Sequence, residues 1–143
     1  GRIVAFNARH MTGGTPKYLI SPPGARMPLF PAKIDSIQAS VILVEGIYDM
    51  LNLHDKGLTN AVCCFGTRNI NEEKLSILRL QGIEEAIVFF DGDEAGQAAA
   101  IKVQDMCKNV DLLTRNINIA DIDPGALTEN QVEKLKSKLY KGV

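Results

Sequence analysis

The sequence predicts an α/β fold with a central, mostly parallel sheet of about four strands flanked by helices and preceded by a small basic β-hairpin. From residue 41, short and continuously apolar runs alternate with amphipathic helical stretches. This alternation is typical of parallel strands that are covered on both faces and joined by right-handed crossovers. Before residue 39, two strand-like runs flank a turn at 12–16, and a proline-rich connector follows at 21–31, which indicates a hairpin and an irregular link.

The individual elements follow from hydrophobic periodicity. The predicted strands are, in chain order, 2–7, 17–20, 41–44, 61–65, 86–90 and 110–113. The predicted helices are 47–55, 71–80, 94–107, with residues 95, 99, 103 and 106 along one face, and a last helix that begins at Thr128 with a Thr128–Gln131 capping box. We expect three units: the basic hairpin segment 1–38, the α/β domain 39–115, and an acidic loop and helix at 116–143 that complete the domain.

Composition is ordinary for a globular domain, with 143 residues of which 45% are hydrophobic and 23% charged. No apolar run approaches the roughly 20 residues needed to cross a bilayer. The three cysteines, Cys63, Cys64 and Cys107, form no CxxC pair, so neither a disulfide framework nor a zinc site is supported. Cysteines within a buried strand favour a reducing, cytoplasmic setting. Because the chain begins at Gly1, we expect it to be a piece of a longer protein.

Charge is distributed unevenly along the chain. Residues 1–40 carry five basic side chains and one acid, a net charge of +4, so the remainder carries −5 within a total of −1. This asymmetry suits a protein that holds phosphates with one part and cations with the other. A chance bias of surface charge is the alternative interpretation.

Two acidic clusters follow predicted strands at the edge where ligands bind in parallel sheets. The strand 41–44 runs into Glu45-Gly46 with Asp49 in the next helical turn, and Gly46 is expected to permit the sharp turn from strand to helix. The strand 86–90 runs into Asp91-Gly92-Asp93, and Asp93 is also a candidate helix cap. Each cluster alone is compatible with ordinary turn chemistry. Together they predict a divalent metal site, because converging carboxylates repel one another unless a cation lies between them.

The two clusters resemble the signature motifs of the Toprim superfamily, in Val44-Glu45-Gly46-Ile47-Tyr48-Asp49 and Phe90-Asp91-Gly92-Asp93-Glu94-Ala95-Gly96. The flanking sequence is similar to DnaG-type primases, bacterial or phage, in three places: Thr15-Pro16-Lys17-Tyr18-Leu19-Ile20-Ser21-Pro22, Cys64-Phe65-Gly66-Thr67, and Asp121-Ile122-Asp123-Pro124. The chain departs from that family at Gly125, where the primases commonly carry another acid. This departure puts a third metal-binding element in doubt.

The resemblance implies a Rossmann-like Toprim fold and a nucleotidyltransferase that makes RNA primers on single-stranded DNA from ribonucleoside triphosphates. It implies Mg²⁺, or Mn²⁺ in its place, held by Asp91 and Asp93 with Asp123 and Asp121 assisting, while Glu45 binds metal or takes the proton of the attacking hydroxyl. Asp49 and Gly46 would support the cluster. Nucleic-acid or nucleotide contacts would come from Arg9 and Lys17, and more weakly from Arg2 and Lys33. A replicative helicase would bind through domains missing here, and this chain alone would be weak or inactive.

The same carboxylates would also serve a Toprim nuclease or a ribosomal-RNA maturase, in which water attacks a phosphodiester. The basic hairpin argues against this alternative. A topoisomerase fragment would need a tyrosine nucleophile from elsewhere. A non-catalytic nucleic-acid-binding module is less consistent with intact Glu45, Asp91 and Asp93.

Overall fold

Six strands, four α-helices and two short 3-10 helices, Thr67–Asn69 and Pro124–Ala126, are formed by residues 1–142, which are the residues that this computed structural model describes. The strands are β1 (Phe6–Arg9), β2 (Tyr18–Ser21), β3 (Ser40–Val44), β4 (Ala61–Cys63), β5 (Glu85–Val88) and β6 (Leu113–Asn116). The helices are α1 (Ile47–Asp55), α2 (Glu72–Leu80), α3 (Glu94–Asn109) and α4 (Glu129–Leu139).

The central sheet contains four parallel strands in the order β4-β3-β5-β6. Strand β3 is buried at every position because it lies in the middle of the sheet and is covered on both faces. Its neighbour β5 is aligned with it, with Val41 opposite Ala86 and Leu43 opposite Val88. The predicted α/β architecture with a four-stranded parallel sheet is therefore confirmed.

Side chains of β3 alternate between the two faces of the sheet and so divide the core in two. Val41 and Leu43 pack with apolar residues of α2 and α3, and Ile42 and Val44 pack with apolar residues of α1 and α4. The three buried cysteines belong to these cores, Cys63 in one and Cys64 and Cys107 in the other. Burial in apolar surroundings raises the pKa of the Cys63 and Cys107 thiols to about 11.

The hairpin forms a separate antiparallel sheet of β1 and β2. Its register sets Phe6 opposite Ser21 and Arg9 opposite Tyr18. The predicted hairpin is confirmed, but its first strand begins at Phe6 and not at residue 2. Residues 2–5 resemble a strand because three of the four are apolar, yet they have no partner strand, since the turn places Ser21 opposite Phe6.

Three other predicted strand boundaries were wrong, including that of 86–90, which ends at Val88. The apolar run at 110–113 is a turn that follows α3, with Asp111 at φ +57°, and β6 begins only at Leu113. The strand expected at 61–65 ends at Cys63, because Phe65 adopts φ +54° and leaves the sheet. The buried face of α3 also differs from the predicted one: it carries Gly96, Ala100, Val103 and Cys107, and Ala95 is exposed.

The C-terminal helix is fixed at both ends. The predicted capping box is confirmed, since the Thr128 N–H donates to Gln131 Oε1 at 2.9 Å. After the helix, Tyr140 is buried, with its hydroxyl oxygen accepting a hydrogen bond from Asn60 Nδ2 at 2.7 Å and lying 3.0 Å from Ser40 Oγ. This buried contact joins the end of the chain to the start of β3. Among residues 1–142, no helix combines the length and apolarity needed to span a membrane.

Candidate active site

The carboxyl ends of β3 and β5 meet where the chain connections diverge. From β3 the chain passes through α1 to β4 on one side, and from β5 it passes through α3 to β6 on the other. Such a switch point leaves a crevice beyond the strand ends in parallel sheets. Glu45 and Asp91 lie there, and the Asp91 backbone N–H donates to Glu45 Oε1 at 3.2 Å. The two sequence motifs are thus in direct contact.

A cleft of about 390 Å³ opens at this point. The α/β domain contributes the carboxylates of its walls, Glu45, Asp49, Asp91 and Asp123. The hairpin contributes Asn7, Arg9, Lys17, Tyr18 and Ile20. The cleft therefore combines the acidic motifs and the basic segment, which are far apart in the sequence, in one cavity.

Burial, together with repulsion between negative charges, raises the pKa of three carboxyl groups in the cleft, those of Glu45, Asp49 and Asp91. The pKa of Asp91 is raised to about 7, first by burial and then by the negative charges of Glu45, Asp123 and Asp49. The pKa of Glu45 is also raised, mainly by burial. Lys17 is the nearby cation that opposes the shift at Asp91. A divalent cation bound here would relieve the same repulsion, so the electrostatics of the donor set fit a metal.

The number of carboxylates that meet at any one point is small. Within residues 1–142, no three His, Cys, Asp or Glu side chains lie close enough together to hold one ion among them. Mg²⁺ usually takes only one or two carboxylates and fills its other positions with water or phosphate oxygens. Pairs such as Glu45 and Asp91 therefore fit Mg²⁺ by the chemistry of their oxygen donors.

Asp49 connects two loops through backbone hydrogen bonds. Its Oδ2 accepts from the Gly46 N–H and its Oδ1 accepts from the Gly125 N–H, each at 3.0 Å. A Cβ at position 125 would lie 2.7 Å from Asp49 Oδ1, so the contact requires glycine or a shifted loop.

Gly46 has close neighbours and an ordinary backbone conformation. Its φ of −117° is accessible to any residue, so the expected reason for this glycine was wrong. A Cβ there would lie 3.1 Å from Asp49 Oδ2 and 3.3 Å from the Tyr18 hydroxyl. Gly46 therefore lets the hairpin approach the first acidic motif.

The Asp91-Gly92-Asp93 turn is shaped by similar close contacts. Asp93 caps α3, with its Oδ1 accepting from the Gly96 N–H at 2.7 Å. A Cβ at Gly92 would lie 2.2 Å from the Ile119 carbonyl oxygen, so glycine allows the chain after β6 to pass beside the turn. Asp93 is exposed, and its charge contributes to the raised pKa of Glu45.

The remaining residues singled out from the sequence lie in different places. Arg9, Lys17 and Asp123 line the cleft. Asp121 is exposed at φ +58° and is not part of the cleft lining. Arg2 and Lys33, both exposed, also lie outside the lining.

Aromatic residues of the cleft were missed by sequence reasoning. Tyr48 and Phe65 line it, and so does Tyr18. The Arg9 guanidinium carbon lies 4.7 Å from the Tyr48 ring centroid and 5.8 Å from that of Tyr18. A signal was present for Tyr48, which lies between Glu45 and Asp49 in the first acidic motif.

Comparisons with known proteins agree with this geometry. Residues 39–119 match the model of a family described as the Toprim domain. A DNA primase of Synechococcus elongatus is 30% identical over 134 residues, covering 83% of this chain and 19% of that primase. A crystal structure of a DNA primase domain from Pseudomonas aeruginosa is 26% identical with a TM-score of 0.77, covering 99% of this chain and 47% of that one.

A second solved structure, a DnaG primase catalytic domain bound to ssDNA, is 25% identical with a TM-score of 0.74 over 97% of this chain and 47% of that one. The chain spans about a fifth of the length of the curated primases that it matches. It spans about half of these solved primase domains.

Proposed function

Since this chain belongs to the Toprim family, we propose that it is the catalytic part of a DnaG-type DNA primase, which joins ribonucleotides into short RNA primers on single-stranded DNA. The observation that carries the proposal is the single cleft in which Glu45 and Asp91 lie together with Arg9 and Lys17. Curated relatives named DNA primase support it. A nucleotidyltransferase needs a place for divalent metal beside a place for phosphates, and this cleft offers both.

The proposed reaction is attack of a primer 3′-hydroxyl on the α-phosphate of a ribonucleoside triphosphate. The new bond joins the 3′-oxygen to the α-phosphorus, the bond to the β-phosphate oxygen breaks, and pyrophosphate leaves. Glu45 is the candidate acceptor for the hydroxyl proton, because burial raises its pKa towards the range of a useful general base. Arg9 and Lys17 would hold phosphates through charge-assisted hydrogen bonds.

The candidate metal ligands are Asp91, Asp93 and Asp123, with Glu45 a further candidate and Asp121 a more distant one. Each ion would take only one or two of these carboxylates and fill its other positions with water or phosphate oxygens. Mg²⁺, when bound, supplies the charge that stabilises the transferring phosphate and lowers the pKa of the attacking hydroxyl. Asp49 would act on the loops around the site, since both of its oxygens accept backbone hydrogen bonds. Mn²⁺ is expected to substitute for Mg²⁺.

The proposed partners are a single-stranded DNA template and ribonucleoside triphosphates, with a replicative helicase reached through domains outside this chain. One structural relative was solved with ssDNA bound, which supports the template. We propose a cytoplasmic location, in keeping with three free, buried cysteines. Because the chain spans about a fifth of its curated relatives, we expect weak activity, or none, from the chain alone.

The test is primer synthesis by the natural protein that carries this sequence. Single-stranded DNA, Mg²⁺ and the four ribonucleoside triphosphates, one of them radiolabelled, should yield short labelled RNA. Asp91→Asn should abolish the product, while Asp105→Asn, the same change on the exposed side of α3, should not. Metal-dependent cleavage of labelled RNA or DNA without incorporation of ribonucleotides would favour the nuclease or maturase alternative.

A further inference from the structure

Tyr48 joins the basic hairpin to the first acidic motif. It lies in the first turn of α1, lines the cleft and is 49% exposed. The Arg9 guanidinium carbon is 4.7 Å from its ring centroid, a distance typical of a cation–π contact. One tyrosine of the α/β domain thus contacts a cation of the hairpin, immediately beside the carboxylates.

The hairpin backbone alone does not fix where the Arg9 side chain ends. Arg9 is opposite Tyr18 in the register, and Asn7 is opposite Ile20. All four residues line the cleft, as expected for alternate positions on one face of a hairpin. The arginine still has a long, flexible side chain with considerable rotamer entropy. The aromatic contact restricts that freedom.

The contact with Tyr48 leaves Arg9 with hydrogen-bond donors to spare. A guanidinium group has five N–H donors, and a contact with one aromatic ring cannot occupy all of them. The held arginine can therefore still donate to phosphate oxygens in the cleft. Lys17, the other hairpin cation in the lining, lies 5.9 Å from the Tyr18 ring centroid. Among residues 1–142, Arg9 is the cation that makes a cation–π contact with Tyr48, so the effect of Tyr48 should pass through Arg9.

We propose that Tyr48 is a positioning residue for substrate phosphate: its ring holds the Arg9 guanidinium over the cleft, at a fixed distance from Glu45 and Asp91. This inference rests on the proposed function, because it assigns to Arg9 the phosphate of a metal-bound nucleotide. Tyr48 itself need not touch the substrate. The aromatic ring is the required feature, and the hydroxyl is not.

The test measures binding of ATP with Mn²⁺ to this chain by titration calorimetry, with direct titration of Mn²⁺ alone as a separate readout. Tyr48→Leu should weaken nucleotide binding about two- to fivefold, the range expected for an exposed cation–π contact. Tyr48→Phe keeps the ring and should stay close to wild type. In an Arg9→Ala background, Tyr48→Leu should have no further effect, because the two residues act as one unit. Affinity for Mn²⁺ alone should not change.

The inference would be overturned if Tyr48→Leu bound nucleotide as tightly as the wild type. It would also be overturned if Tyr48→Leu caused the same loss of nucleotide affinity in the Arg9→Ala background as in the wild type. A loss in Tyr48→Phe as large as that in Tyr48→Leu would point to the hydroxyl and also overturn it. Circular dichroism checks that the variants fold, as expected because Tyr48 is half-exposed. If Tyr48→Leu does not fold, Tyr48→Gln replaces it. Failure of the wild-type chain to bind either Mn²⁺ or ATP would instead contradict the proposed function itself.

Discussion

Replacing Asp91 with asparagine should stabilise the metal-free chain, and the gain should grow as the pH rises. The pKa of this carboxyl is about 7 in the folded chain, against 3.8 for an unperturbed aspartate, because of burial and the neighbouring charges of Glu45, Asp123 and Asp49. Below pH 3.8 it is neutral in both the folded and the unfolded chain. As the pH rises from there to 7, the unfolded chain loses the proton first, so the free energy of unfolding falls.

The size of the effect follows from the shift. A difference of about three pKa units corresponds to roughly 4 kcal/mol if none of the charge is screened. Asp91 is only half-buried, so solvent screening should reduce the observed gain to about 1–2 kcal/mol above pH 7. Near pH 4 the wild type and Asp91→Asn should be about equally stable. Asparagine does not titrate in this range, which makes it the appropriate comparison.

The assay is urea unfolding in EDTA from pH 4 to pH 8, followed by circular dichroism. Asp105→Asn provides the control, because it makes the same change at an exposed position of α3. Saturating Mg²⁺ should make the wild type more stable than Asp91→Asn at pH 8. Metal binding stabilises only the folded wild type, by about 2.7 kcal/mol when the Mg²⁺ concentration is a hundred times its Kd. A difference between wild type and Asp91→Asn that does not change with pH would refute the assigned electrostatics.

Three further predictions concern other parts of the molecule. Glu45→Gln should keep the wild-type unfolding midpoint within a few degrees yet lose primer synthesis; unchanged activity per folded molecule would contradict its role. Arg9→Ala/Lys17→Ala should weaken binding to labelled single-stranded DNA, measured by fluorescence anisotropy. The slope of log affinity against log salt concentration should become shallower by roughly 1.4. If the double variant keeps the wild-type affinity and slope, both residues are ordinary surface charges. Tyr140→Phe should lower the free energy of unfolding by about 1–3 kcal/mol, because the buried Asn60 amide loses a partner; an unchanged urea midpoint would count against this.

The strands and helices of the α/β domain were predictable because their signals are local. The apolar run of β3 and the Thr128–Gln131 capping box identify their elements without reference to the rest of the fold. The start of β6 was not predictable in this way. Apolar Val110 and Leu112 resemble the beginning of a strand, but Asp111 between them turns the chain at φ +57°, and Leu112 enters the core directly after that turn.

The site was only partly predictable, because some of its contacts depend on the whole fold and not on local sequence. Glu45 and Asp91 could be placed together from the rule that carboxyl ends of parallel strands share one edge. The contact of Arg9 with Tyr48 depends on how the hairpin folds over that edge, which no local pattern specifies. Asp121 adopts φ +58° and lies outside the cleft lining although Asp123 is part of it, so its proximity to Asp123 in sequence was a poor guide to its place in the structure.

Binding of Mn²⁺ to the acidic motifs is the most direct test of a metal-dependent cleft. Electron paramagnetic resonance can follow the titration in wild type, in Asp91→Asn/Asp93→Asn and in the control Asp105→Asn. Asparagine at position 93 can still cap α3, so the double variant should remain folded. We predict saturable binding by the wild type and the control, and much weaker binding by the double variant. Equal Mn²⁺ affinity in all three proteins would contradict the assignment of the metal to this cleft.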